Sequence, residues 1–282
     1  MVRFSGMRST RLIPPCPSLA TLAVVAAMAL ASASDAIAPT DQDPAREVLD
    51  CVQRNLPKDT SVQRLRFESK DRSGGGRTIE SKVSWRRFDD GLSRVLIRVH
   101  APHDLQGAGL LLLEKESRAD MFVYLPDLER VRRVTSRMLG GSMFGSDFTY
   151  EDFSQLQGMA IAGRSERLPD DEIDGVPVRV VSHVPAPDAG SSYERVVSYV
   201  DASTCVPLRS EMFESGDRLR KVLTADRSRI FEQGDVRIPM VLRMEDLRDQ
   251  SSTLLEVMEI EVGVKLRERV FTVPSLERPR MN

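Results

Sequence analysis

The chain has 282 residues, 41% apolar and 29% charged, with a formal net charge of −2. That length suits one large domain or two small ones, and the mix is that of a globular protein. A near-neutral charge with scattered Arg excludes the basic face that a nucleic-acid binder needs.

The N-terminus reads as an export signal. Arg3, Arg8 and Arg11 precede a short apolar run, Leu19 to Leu30, and the small residues of "ASASDAIA" follow. This is the charged, apolar and small-residue order of a secretory signal peptide over residues 1–36, cleaved between 33 and 38. Residues 39–282 are then expected to form a single exported domain. Cys51 and Cys205 remain after cleavage. In an oxidising compartment they are candidates for a disulfide, with two buried thiols as the alternative.

The mature chain opens on a helix. Asp43 is placed to cap it, Pro44 suits its first position, and Ala45, Val48, Leu49, Val52 and Leu56 recur at helical spacing. The period then changes from 3.6 to 2. Two alternating runs flank "SGGGR", the pattern of a hairpin. "TIESKVSWRRF" puts Val83 and Trp85 on one face, and "LSRVLIRVHA" does the same with Val95, Ile97 and Val99. Further alternating runs follow to "LLEVMEIEVGV", each bounded by turn residues. "LPDDEIDGVP" reads as a polar turn. Ten or eleven antiparallel strands of this kind must curl to bury one face. The expected fold is mainly β, a half-open barrel of about eleven strands with a helical or loop lid.

Between the two sets of strands lies an irregular stretch, residues 136–158, containing "GGSMFGSDFTYEDF". Four of the fifteen aromatic residues fall in those fourteen positions. Gly140, Gly141 and Gly145 give it conformational freedom. Met143, Phe144, Phe148, Tyr150 and Phe153 give it apolar surface. The segment reads as a lid over the concave face. Met212, Met240, Leu242, Met244 and Met258 are assigned to that face too, where methionine suits variable shapes. Asp147, Glu151 and Asp152 are expected to anchor the lid to Arg132 and Arg133.

Catalytic patterns are sparse. His100, His103 and His183 lack the spacing of a zinc-protease motif, and neither a nucleophile elbow nor a phosphate-binding Gly-Lys-Thr/Ser loop occurs. No metal, cofactor or nucleic-acid partner is expected. A hydrolase using Glu151 or Asp152 with a histidine is the weakest of three readings.

"YLPDLERVRRVTSRMLGGSMFGSDFTYEDFSQL" resembles the signature of outer membrane lipoprotein-sorting proteins of the LolA-like type. Tyr124–Leu125–Pro126, Arg132–Arg133 and the unbroken "GSDFTYEDF" from Gly145 to Phe153 carry the likeness. "YVDASTCVPLRSEMFESGDRLRKVL" and "IPMVLRMED" agree with it. The resemblance implies a half-barrel covered by helices and a periplasmic, non-enzymatic carrier of lipoprotein acyl chains or other lipids. It also implies partners among inner-membrane exporters, of the RND (MMPL-like) or ABC type. The alternative is an accessory adaptor of such an exporter, its sheet filled by its own side chains.

Overall fold

The computed structural model describes residues 43–116 and 118–277. The expected signal peptide lies outside them. Residues Gln42–Asn282 cluster as one compact unit.

The capped helix forms as its sequence dictates. In α1 (Pro44–Arg54) the Asp43 carboxylate accepts from the Ala45 amide at 3.0 Å. Ala45 and Val48 are buried against Val181 and Val200, with Val52 and Cys205 beside them. Leu49, read as part of the apolar stripe, is instead exposed. Cys51 and Cys205 join as a disulfide, Cα atoms 5.6 Å apart, tying the helix to the sheet.

Fifteen strands follow. The first set is β1 (Thr60–Lys70), β2 (Gly76–Arg87), β3 (Ser93–Ala101), β4 (Gly109–Glu114), β5 (Ala119–Leu125) and β6 (Arg130–Arg133). After the central loop and α2 (Tyr150–Leu156) come β7 (Gly163–Ile173), β8 (Val176–Pro185), β9 (Arg195–Asp201), β10 (Pro207–Glu214) and β11 (Arg218–Ala225). A short hairpin, β12 (Ile230–Gln233) and β13 (Val236–Pro239), precedes β14 (Val241–Asp246), β15 (Ser251–Val262) and α3 (Val273–Glu277). Thirteen strands make one sheet, in the order β6-β5-β4-β3-β2-β1-β15-β14-β11-β10-β9-β8-β7, and β12 pairs only with β13. Two meanders are thus zipped together by the β1–β15 pair.

The sheet is mainly β and open, as expected, with more strands than the eleven anticipated. The surplus comes from short or polar segments. β6 is four residues long, and "LPDDEI", read as a turn, belongs to the edge strand β7. Charge-rich edges such as these blunt unwanted pairing.

Curling is visible in what the central loop touches. Phe148 packs edge-on against Phe67 of β1, while Asp152 accepts from Tyr193 at the start of β9. Those strands are five spacings apart, about 24 Å in a flat sheet. Five residues of loop bridge them because the sheet wraps around it. Register shifts in β3, β11 and β15 insert His100, Arg220 and Met258 as extra residues. Such bulges bend a strand and increase its twist.

The inward face is apolar along most of its width. Val83, Trp85, Val95, Ile97 and Val99 are at most 2% exposed and belong to one cluster with Met212, Leu242, Met244, Leu255 and Val257. Met240 is half-buried against it. Met258 corrects the sequence reading: it is 44% exposed. Leu255 and Val257 point inward, so Met258 has the opposite parity, and the bulge there returns Ile260 to the inner side. A second apolar layer lies on the outer face of β3–β6. Leu111, Phe271 and Leu276 form its buried centre.

Candidate functional site: a plug on the concave face

The five residues read as a lid all lie in the inner apolar cluster. Phe148 and Phe153 are wholly buried, and Met143, Phe144 and Tyr150 are at most 7% exposed. Each such side chain contributes about 1.5–3 kcal/mol by leaving water. The segment does not lie across a mouth. It fills the trough, as a plug.

Its backbone is well formed. Phe144 (φ 56°) and Gly145 (φ 85°) turn through the left-handed region. Met143 N donates to Phe148 O at 2.8 Å, and Ser146 N to Met143 O at 3.1 Å, closing a small loop. The three glycines, expected to share one role, have different ones. A Cβ on Gly140 would stand 2.7 Å from Ser192 Cβ, and one on Gly141 2.9 Å from the Met138 carbonyl oxygen. These two permit close approach, and of the three glycines only Gly145 takes part in the left-handed turn.

α2 begins with a capping box. Thr149 Oγ1 accepts from Asp152 N at 3.0 Å, and Asp152 Oδ2 accepts from Thr149 N at 2.8 Å. This local rule explains "TYED" in chain order.

The plug is held by a buried polar network. Asp152 also accepts from Tyr193 Oη at 2.8 Å and from Lys221 Nζ at 3.3 Å. Lys221 and Asp152 are both buried, and Lys221 donates a second bond to the Asp147 carbonyl at 2.5 Å. The Asp147 carboxylate accepts from Thr253 Oγ1 at 2.6 Å and from Ser251 Oγ. Glu151, with no exposed surface, accepts from Ser192 N at 2.9 Å, from Ser192 Oγ at 3.0 Å and from Ser191 Oγ. Burial pushes the Glu151 carboxyl above its ordinary value; the serine bonds oppose this and Asp152 adds to it. Burial likewise drives the Tyr193 phenol well up, with Asp152 reinforcing it.

The expected arginine anchors are therefore corrected. Arg133 pairs with Asp120 on the neighbouring strand, and Arg132 is exposed opposite Val123. Both sit on the edge strand β6, where their long side chains are solvated. The anchor set contains one cation, Lys221, and hydroxyls from Ser191, Ser192, Tyr193, Ser251 and Thr253. Sequence spacing gave no sign of it, because each partner comes from a distant strand. The strand's own alternation carried one signal: Lys221 is in phase with Leu223 and Ala225, which pack on the inner cluster.

Neither Glu151 nor Asp152 has a histidine among its hydrogen-bonding partners; His183 Nδ1 instead meets Ser165 Oγ at 3.0 Å. No metal-holding group of three or more His, Cys, Asp or Glu side chains occurs among the described residues. Two surface clefts lie at strand ends, one lined by Asp71, Arg72, Arg248 and Ser251, the other by Pro57, Lys58, Gln233 and Gly263. No plug residue lines either. The volume inside the trough is taken up by the plug.

A family described as "uncharacterized protein" matches residues 91–278. No curated protein matches. Among solved structures, a domain of Vibrio parahaemolyticus described as an outer membrane lipoprotein-sorting protein is 25% identical, with a TM-score of 0.74 over 83% of this chain and 100% of that one. A DUF1329 family protein of Desulfovibrio piger is 24% identical, with a TM-score of 0.75 and the same coverage. A LolA superfamily protein of Nitrosomonas europaea is 16% identical, with a TM-score of 0.64 over 81% of this chain and 97% of that one. The likeness read from "GSDFTYEDF" thus holds at the level of the whole fold.

Proposed function

The chain belongs to the family of uncharacterized proteins matched over residues 91–278, on a LolA-like fold, and from that premise we propose that it is a periplasmic carrier of acyl chains. The observation that carries this reading is the plug. An open sheet lines a trough with Val, Ile, Leu, Met and Trp side chains, and a single short loop occupies it. That loop is held by its buried apolar side chains together with hydrogen bonds and one buried ion pair.

In this reading the aromatic side chains stand in for cargo. Each acyl CH₂ that replaces them contributes about 0.8 kcal/mol by leaving water. The exchange leaves no large cavity in either state. No step of the cycle calls for a reacting group, so the carrier is non-enzymatic. Its cargo is a lipid or the acylated end of a lipoprotein, handed toward the outer membrane. An inner-membrane exporter of the RND or ABC type is the donor.

The second reading, an exporter adaptor without bulk lipid carriage, is favoured by the same filled trough. Lipid extraction separates the two. The exported protein is purified without tag or detergent, extracted, and analysed by mass spectrometry, then offered phospholipid. Near-stoichiometric bound lipid supports the carrier. A lipid-free protein that also refuses added lipid contradicts it.

A further inference from the structure

Four buried side-chain polar atoms among the described residues have no hydrogen-bond partner: Ser61 Oγ, Ser81 Oγ, Trp85 Nε1 and His183 Nε2. Three of the four lie together on β1 and β2. Ser61 is directly opposite Trp85, and Ser81 is opposite Leu65 on one side and Val99 on the other. Trp85, Leu65 and Val99 all belong to the inner cluster, so these three polar groups face the trough. Ser61, Ser81 and Trp85 are at most 3% exposed.

An apolar face has no use for such groups. A buried donor without a partner gives up its bonds to water and gains nothing in return. Alanine and phenylalanine would pack the same positions without that cost. The indole N–H can only donate, so whatever satisfies it must be an acceptor. Arg87, the next residue of that parity toward the strand end, is exposed, with its guanidinium 5.6 Å from the Trp85 ring centre. The charge beside Trp85 thus lies at the rim, and the positions around Trp85 suit a neutral acceptor.

We propose that Ser61, Ser81 and Trp85 form a row of donors for the ester or amide carbonyls at the root of acyl chains, engaged once the plug has left the trough. Ser81 and Trp85 are four residues apart on one strand, so the row runs about 13 Å. The apolar residues around it take the chains, and Arg87 marks the rim where the polar head lies. This deepens the carrier reading and rests on it. It assigns the cargo to carbonyl-linked lipids, as opposed to free hydrocarbon or ether-linked chains.

The protein carries its own reporter, since Trp85 is the one tryptophan of the chain. Tryptophan emission is followed while the full exported protein is titrated with monomeric dihexanoyl phosphatidylcholine, then with its dihexyl ether analogue. The two share chains, phosphate and choline, and differ only in the carbonyls. The diester is expected to bind at least about fivefold tighter, the worth of one net hydrogen bond. Ser61→Ala/Ser81→Ala, which keeps the reporter and removes two hydroxyls, is expected to lose most of that preference without losing stability. Equal affinities in the wild type overturn the donor row and leave the carrier standing. A preference untouched by the double substitution overturns it too. Binding of neither lipid overturns the carrier reading, and this assignment with it.

Discussion

Two covers on opposite faces of the sheet, the plug and the C-terminal segment, are fastened by different chemistry. On the outer face, residues 266–277 lie over β3–β6. Phe271 and Leu276 are buried against Leu111, and Phe271 meets Phe88 edge-on at 5.7 Å. Arg98 donates to the carbonyls of Gly107, Ser275 and Leu276 at 2.9–3.1 Å, closing the end of the last helix. Gly109 lets it in, since a Cβ there would sit 2.8 Å from Leu276 Cδ1. On the inner face, the plug hangs from three carboxylates, Asp147, Glu151 and Asp152, which meet one cation and several hydroxyls. The outer cover is fastened through backbone carbonyls, whereas the inner one includes Glu151, whose carboxyl is raised above its ordinary value by burial. The outer cover is built as a permanent part of the core. In the proposed carrier cycle it is the inner cover that leaves.

The largest effect should come from the buried Lys221. Lys221→Met strands Asp152 without its partner, and breaking one side of a buried pair costs about 3–5 kcal/mol. Native-state hydrogen exchange at the amides of Phe148 to Phe153 should show that loss, with the amides of β2 and β3 unaffected.

Paired truncations sharpen the contrast. Phe271→Ala and Phe148→Ala each remove a buried ring, at about 3–5 kcal/mol apiece. If the plug detaches with the sheet intact, Phe148→Ala can cost global stability no more than the plug's own detachment free energy. Denaturant unfolding should therefore show a smaller loss for Phe148→Ala than for Phe271→Ala. Equal losses would mean that both covers belong to one cooperative core.

Acidity should act on the inner cover through Glu151, whose folded carboxyl lies above its ordinary 4.5 through burial. Between 4.5 and the folded value, the native state holds more protons than the unfolded chain. Stability therefore falls as pH rises through that window, and the cost persists above it. The difference in unfolding free energy between wild type and Glu151→Gln should change across the window, by at most about 1.4 kcal/mol per pH unit for one proton. Asp152, Lys221 and Tyr193 belong to the same buried network in both proteins. A flat difference would remove Glu151 from the account.

The smallest effects belong to the edge. Arg132→Ala and Arg133→Ala should each change stability by about 0.5 kcal/mol or less, as exposed charges do. A larger loss of plug protection in either variant would restore the arginine anchors that the geometry replaces.

What could be read in advance follows the range of the forces. Alternation with period 2 placed Val83, Trp85, Val95, Ile97 and Val99 on one face, because side-chain direction is local to a strand. The aromatic density around Gly145 marked the plug, since apolar surface must be covered by something. Asp147, Glu151 and Asp152 were legible as anchors. Their partners were not: Lys221 is 69 residues from Asp152, and Thr253 is 106 from Asp147. Met258 was misplaced because its strand parity was misread and a bulge follows the pattern of neither face. The edge strand β7 was read partly as turn, because a strand exposed on both faces loses its alternation.

The central claim is that the plug yields to lipid, and hydrogen–deuterium exchange over residues 139–159 tests it most directly. The exported protein is compared with and without saturating monomeric phospholipid. These amides are expected to lose protection when lipid is present, while β2, β3 and the cover at residues 266–277 stay protected. Protection of residues 139–159 that lipid leaves unchanged would contradict it.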